Sequence, residues 1–203
     1  MSIFLEGPTA LIVSSAIDPD NMLAEWAKLG FVPKLWVAKL TGTDTGGDTE
    51  INHCFDVARS HGLHVGGWIQ CGNEPRADLA SIDPWLPKLD LIEFCCEIEY
   101  KSNATPPNNQ SFRADTLACQ ASYITIPKAV ITYGRHDTAM RMEAFRDAGW
   151  DVVPECYQDF ALADADSYYP MFLGRNIHPL VHTFDRMTYR GNRVGVYRPE
   201  GLL

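Results

Sequence analysis

One junction recurs along this chain and limits what it can fold into. A helix-patterned run ends, a glycine follows, and a short apolar strand begins at once. The three copies read LGFVPKLWV from Leu29, HGLHVGGWI from His61 and AGWDVVPEC from Ala148. Ahead of them, Met22, Leu23, Trp26 and Ala27, then Ile51, Cys54, Phe55 and Ala58, then Met140, Ala144, Phe145 and Ala148 recur at the spacing of one helical face. Gly30, Gly62 and Gly149 then stand where a left-handed residue ends a helix, because glycine alone enters that conformation without a Cβ penalty. Asp137 is the expected N-cap of the third helix.

Short apolar runs of strand length occupy residues 9–16, 33–40, 63–71, 89–99, 129–133, 151–158, 177–183 and 193–197. Strands that alternate with helices pair in parallel through right-handed crossovers. Eight such units close a barrel. The expected fold is therefore α/β, a compact (β/α)8 TIM-type barrel with an incomplete last unit. The length of 203 residues lies at the lower end of the roughly 200–250 such barrels need. An open doubly wound sheet is the competing architecture. It calls for a glycine-rich first turn, whereas here the first run leads into Ser14-Ser15-Ala16-Ile17-Asp18-Pro19, with no GxGxxG and no P-loop. Residues 1–203 are read as one domain. Residues 186–203 look too extended to finish a barrel and are expected as a tail that reaches a neighbouring molecule.

The charge balance restricts partners. A formal net charge of −9, with the basic residues scattered, argues against nucleic acid, whose phosphates need Lys and Arg to neutralise them. No apolar run approaches the ~20 residues that span a bilayer. The N-terminal residues carry no basic n-region or cleavage site, so the chain is expected to be made in the cytoplasm without a signal peptide, with a virion or extracellular destination left open. Six cysteines, at 54, 71, 95, 96, 119 and 156, include no CxxC pair, which favours a reducing compartment and no zinc site. His178 and His182 mimic an HxxxH pair. On a strand they would lie ~13 Å apart, too far to share an ion. Neither a metal nor a cofactor is expected.

The fourth run carries the most chemistry. In Leu91-Ile92-Glu93-Phe94-Cys95-Cys96-Glu97-Ile98-Glu99, alternation puts Ile92, Phe94, Cys96 and Ile98 on one face, against the helices. Glu93, Cys95, Glu97 and Glu99 share the other, which in a barrel faces inward. Burying carboxylates there is costly except toward the rim, where water enters. Glu97 and Glu99, ~7 Å apart along a strand, are expected at that rim. Mutual repulsion and burial would leave one of them protonated and the other ionised, the division of labour that glycosidic cleavage uses. A solvated acidic strand end, or an ion-paired network with Lys39, Lys101 or Arg135, would give the same pattern.

Other residues point to the same rim. Glu155 and Tyr157 share a face at the end of the sixth run, where a tyrosine can hydrogen-bond a developing charge. Trp68 and Gln70 end the third, with Trp68 a candidate sugar platform. Arg135 follows the fifth and His182 lies near the end of the seventh. The loop of residues 102–111, rich in proline and asparagine, follows the fourth run directly, as site-shaping loops do on barrel rims.

This layout resembles the (β/α) barrel glycoside hydrolases with a D-x-E motif at the end of strand four, chitinase-like enzymes and phage or bacterial muramidases among them. The matching residues are Glu97-Ile98-Glu99. The resemblance implies Glu99 as proton donor, Glu97 as the residue that assists the acetamido group or the intermediate, and Tyr157 as the tyrosine opposite. It departs in having Glu for the first acid and Cys95 for the upstream one. The expected function is a glycosidase-like barrel acting on a cell-wall or amino-sugar polysaccharide such as peptidoglycan. The other expectation is a non-catalytic barrel that binds glycan or packs with other subunits of a larger assembly such as a phage virion.

Overall fold

The computed structural model describes residues 8–12, 18–41, 47–72, 74–96, 110–136, 140–157, 160–182, 188–189 and 192–197. Strands β1 (Thr9–Ile12), β2 (Leu35–Lys39), β3 (His64–Gln70), β4 (Leu91–Cys95), β5 (Lys128–Tyr133), β6 (Asp151–Glu155) and β7 (Leu180–Val181) pair in parallel in chain order. After them come β8 (Thr188–Tyr189), β9 (Asn192–Arg193) and β10 (Gly195–Tyr197). The sheet is a closed eight-stranded barrel, with β10 between β7 and β1. Five α-helices are seen among the described residues: α1 (Pro19–Lys28), α2 (Asp48–Ser60), α3 (Pro75–Ile82), α4 (Gln110–Gln120) and α5 (Met142–Asp147). The (β/α)8 barrel expected from the sequence is the fold observed.

The glycine junctions form as their chemistry requires. Gly30, Gly62 and Gly149 have φ of 78°, 74° and 76°. At each, the glycine N–H and the next residue's N–H bond back to the last helical turn. Gly149 donates to the Arg146 carbonyl at 2.9 Å and Trp150 to that of Phe145 at 3.0 Å, and the other two helices end the same way. A Cβ at Gly149 would meet nothing within 4 Å, so a substitution there acts through backbone strain alone. Gly149→Ala is expected to cost about 1 kcal/mol in chemical denaturation.

Two cores follow from strand alternation. Outside the sheet, Trp36 lies 5.6 Å from Trp26 of α1, and Trp150 lies 5.0 Å from both Phe94 of β4 and Phe145 of α5. Inside the barrel, Leu11, Leu35, Val37, Trp68, Leu91 and Cys95 belong to a second buried cluster. The parity expected for β4 holds among its described residues. Ile92, Phe94 and Cys96 pack outward in the first cluster, and Cys95 packs inward in the second.

Several expectations give way. The fourth run is strand only as far as Cys95 among the described residues, and the helix expected to be capped by Asp137 begins at Met142 with Arg141 at its N-cap. Asp137 itself lies outside the described residues. Within the segment 186–203, expected as a tail, the strand-length run at 193–197 supplies the closing strand: Gly195 pairs with Thr9 and with Leu180. Glycine fits closely here: a Cβ at 195 would come to 2.5 Å from Leu180 Cδ2, so that buried side chain would have to shift. The unit between β6 and β7 uses 3-10 turns at Leu162–Tyr168 and Gly174–Asn176, and an antiparallel β8–β9 hairpin stands between β7 and β10.

Candidate active site

Parallel barrels present their strand C-termini at one mouth, where chemistry in this fold is done. On the inner row of β4, Glu93 lies between Leu91 and Cys95, level with Trp68 on β3 and Ala129 on β5. It is 1% exposed, and its Oε2 has no hydrogen-bond partner. Removal from water disfavours the anion and pushes the carboxyl from its ordinary 4.5 up to about 8. Glu93 is therefore a protonated acid near neutral pH, set in the barrel wall below the mouth.

Above it the mouth is divided. On the side of β6, β7 and β10, three flat rings lie nearly parallel. Tyr157 is 4.2 Å from His182 and 4.9 Å from Tyr197, with interplanar angles of 11° and 7°. Stacking at these distances is favourable and fixes the rings. Burial, reinforced by the adjacent Glu155 carboxylate that accepts from its hydroxyl, pushes the Tyr157 phenol well above the usual tyrosine range. It is a hydrogen-bond donor and not a base.

On the side of β2, β3 and β4, Trp68 is only 4% exposed. Its indole N–H donates to the Ile12 carbonyl at 3.1 Å, and the Lys39 ammonium sits 5.4 Å from its ring centroid. It is part of the inner packing with a cation over its face, and not an open platform. Gln70 ends β3 exposed to solvent.

The structure thus gathers Tyr157, Glu155 and His182 at one part of the rim and places Gln70 at another, with Trp68 below it in the inner packing, level with Glu93. Arg135 is exposed, and its Nε donates to Asp164 Oδ1 at 2.9 Å, holding that carboxyl below the usual range. This pins the turn after β6 to the end of β5. Glu97 and Glu99 lie outside the described residues; they follow Cys95, the last residue of β4, at two and four positions. The two histidines of the HxxxH pattern are held at different places, His178 with its Nε2 3.2 Å from Asp151 and His182 in the aromatic stack.

Sequence reasoning put Glu93 on the correct face but not in the site, and it missed Tyr197 and the position of Lys39 over Trp68. Alternation alone was enough to aim Glu93 inward. Tyr197 ends the eighth run, but nothing local in the sequence shows that its ring stacks on Tyr157. A separate groove of about 280 Å³, lined by Asp20, Leu23, Val32 and His61 among others, runs along α1 beside the C-terminal end of α2. His61 Nε2 lies 2.8 Å from Asp20 Oδ1 there. The groove is away from the strand C-termini, the position at which this fold does chemistry.

No protein-family model matches the sequence, and no curated relative is found. Solved structures do match. A truncated 3-deoxy-D-arabino-heptulosonate 7-phosphate synthase from Thermotoga maritima aligns at 12% identity over 95% of this chain and 74% of its own, with a TM-score of 0.53. The N-acetylmannosamine-6-phosphate 2-epimerase from Clostridium perfringens aligns at 13% over 95% and 90%, with a TM-score of 0.52. The D-psicose 3-epimerase from Clostridium cellulolyticum H10 aligns at 12% over 93% and 83%, with a TM-score of 0.50. Likeness at such identities concerns the fold, and with the closed parallel sheet it makes this chain a (β/α)8 barrel.

Proposed function

We propose that this chain is a carbohydrate-active barrel that works by proton transfer at its C-terminal mouth, and that its reaction is hydrolysis of a glycosidic bond in a cell-wall or amino-sugar polysaccharide. The observation that carries the reading is the inner row of β4, where a buried, neutral Glu93 and then Cys95 lead to the point at which the sequence supplies Glu97 and Glu99. In this reading Glu99 donates the proton to the leaving oxygen and Glu97 stabilises the charge formed at the sugar. Tyr157 and Glu155 orient the ring, Gln70, His182 and Arg135 border the substrate, and Trp68 supports the wall behind them. The names of the three barrels of similar fold, a synthase of a heptulosonate phosphate and two sugar epimerases, lend general support to a sugar substrate.

The test is turnover of peptidoglycan, chitin and aryl-glycosides by the purified protein beside Glu99→Gln. Loss of a general acid is expected to lower kcat about 100- to 10,000-fold. Equal rates for both proteins would remove Glu99 from the mechanism.

The aromatic stack of Tyr157, His182 and Tyr197 favours a second reading, because it occupies one side of the mouth with side chains held by one another. In that reading the barrel binds glycan without cleaving it, as a component of a larger assembly such as a virion. Retained binding to peptidoglycan with no turnover, and no effect of Glu99→Gln on either, would favour it.

A further inference from the structure

Just beyond the C-terminal ends of β3 and β4, two thiols face each other. Register pairs Gln70 with Cys95, and the ladder continues as the Cys71 N–H donates to the Cys95 carbonyl at 2.9 Å. One step on, Cys71 stands opposite Cys96. Both pack outward in the cluster between sheet and helices, at 1% and 0% exposure, and their thiols hydrogen-bond to one another. Cys95 is adjacent in sequence but points into the barrel interior, so it does not compete for the same partner.

We propose that Cys71 and Cys96 are a latent disulfide, a reversible redox clasp that joins β3 to β4 at the rim of the barrel. Neighbouring strands lie about 4.8 Å apart, which puts directly opposed residues within the roughly 4.4–6.8 Å Cα separation that a disulfide spans. Both residues lie one position past their strands, where the backbone can adjust to the bond. Thiol–disulfide exchange makes such a bond reversible by a thiol reductant.

The chemistry balances with a peroxide as the oxidant. One thiol, as its thiolate, attacks a peroxide oxygen, breaks the O–O bond and becomes a sulfenic acid, releasing water. The partner sulfur then displaces the sulfenic oxygen as a second water and forms the S–S bond. The two sulfurs lose two electrons and the peroxide gains them. Burial, the largest influence, and the Cys71 thiol beside it keep Cys96 protonated, so the bond forms slowly at neutral pH. A thiol reductant such as dithiothreitol reverses it. The clasp is independent of the reaction proposed above, although it lies directly before Glu97 and Glu99 in the chain.

The experiment exposes the folded protein to hydrogen peroxide, in a Cys119→Ser background because Cys119 is the exposed thiol. Remaining thiols are alkylated in denaturant and tryptic peptides are mapped by tandem mass spectrometry. The expected product joins peptide 60–76 to peptide 89–101, with fragment ions assigning the bond to Cys96. Two thiols are lost per molecule and recovered with dithiothreitol. The linked peptide should persist in Cys95→Ala and vanish in Cys71→Ala and Cys96→Ala. A bond to Cys95, or oxidation that ends in sulfinic and sulfonic acids with no linked peptide in the parent protein, would overturn the proposal.

Discussion

Glu93→Met is expected to gain stability over the parent protein as pH rises, by about 3–5 kcal/mol between pH 4.5 and pH 8. In the folded protein burial holds the carboxyl protonated up to about pH 8, while in the unfolded chain it ionises near its ordinary 4.5. Between these values the folded state binds a proton that the unfolded state does not. The contribution of Glu93 to stability is therefore complete below pH 4.5, and it is lost as pH climbs through 8. Methionine has nothing to titrate, and it also removes the unbonded Oε2 at every pH. Glu93→Gln should flatten the same pH dependence while leaving a polar group in the barrel wall. Urea denaturation at a series of pH values measures this directly. Curves for parent and Glu93→Met that run parallel from pH 4.5 to 8 would show that Glu93 is hydrated or paired. If the carboxyl serves catalysis, both variants lose activity while stability improves, as happens when a site is strained for function.

Trp150→Ala should cost about 3–5 kcal/mol, a large share of the roughly 5–15 kcal/mol that holds a domain folded. Trp150 immediately precedes β6 and joins it to β4 through Phe94 and to α5 through Phe145. Alanine there leaves a hole in the layer between sheet and helix at the point where three elements meet. Trp150→Phe should cost much less, because the indole N–H makes no hydrogen bond and its loss relieves an unsatisfied donor. Thermal and urea midpoints of the two variants separate these effects. Equal losses in both would mean that the ring's outline, and not its volume, supports the layer.

The first two-thirds of the fold could be read from the sequence because their signals are local. Gly30, Gly62 and Gly149 punctuate helices whose faces are regular, and β4 alternates cleanly enough that the sides of Ile92, Phe94, Cys96 and Cys95 came out right. The last third was legible only as strand-length runs at 177–183 and 193–197. Within them the paired strands are short, two residues in β7 and three in β10, and 3-10 turns stand in place of a helix between β6 and β7. That β10 closes the sheet is set by pairing with β7 and β1, partners that no local pattern names. The site was partly legible in the same way. Alternation aimed Glu93 inward, but its raised pKa depends on Trp68, Ala129 and the rest of the wall excluding water. The spacing that flagged Tyr157 could not show that its ring is stacked on His182 and Tyr197.

The pairing of Thr9 with Gly195 has a consequence for how the chain is made. A ribosome delivers β1 well before β10, so the seam cannot close until Gly195–Tyr197 has emerged. Until then β1 and β7 both present open edges of unpaired N–H and C=O groups, the kind of surface that recruits strands from other molecules. The nascent barrel therefore waits for three residues, Gly195–Tyr197, with its seam in its most aggregation-prone form.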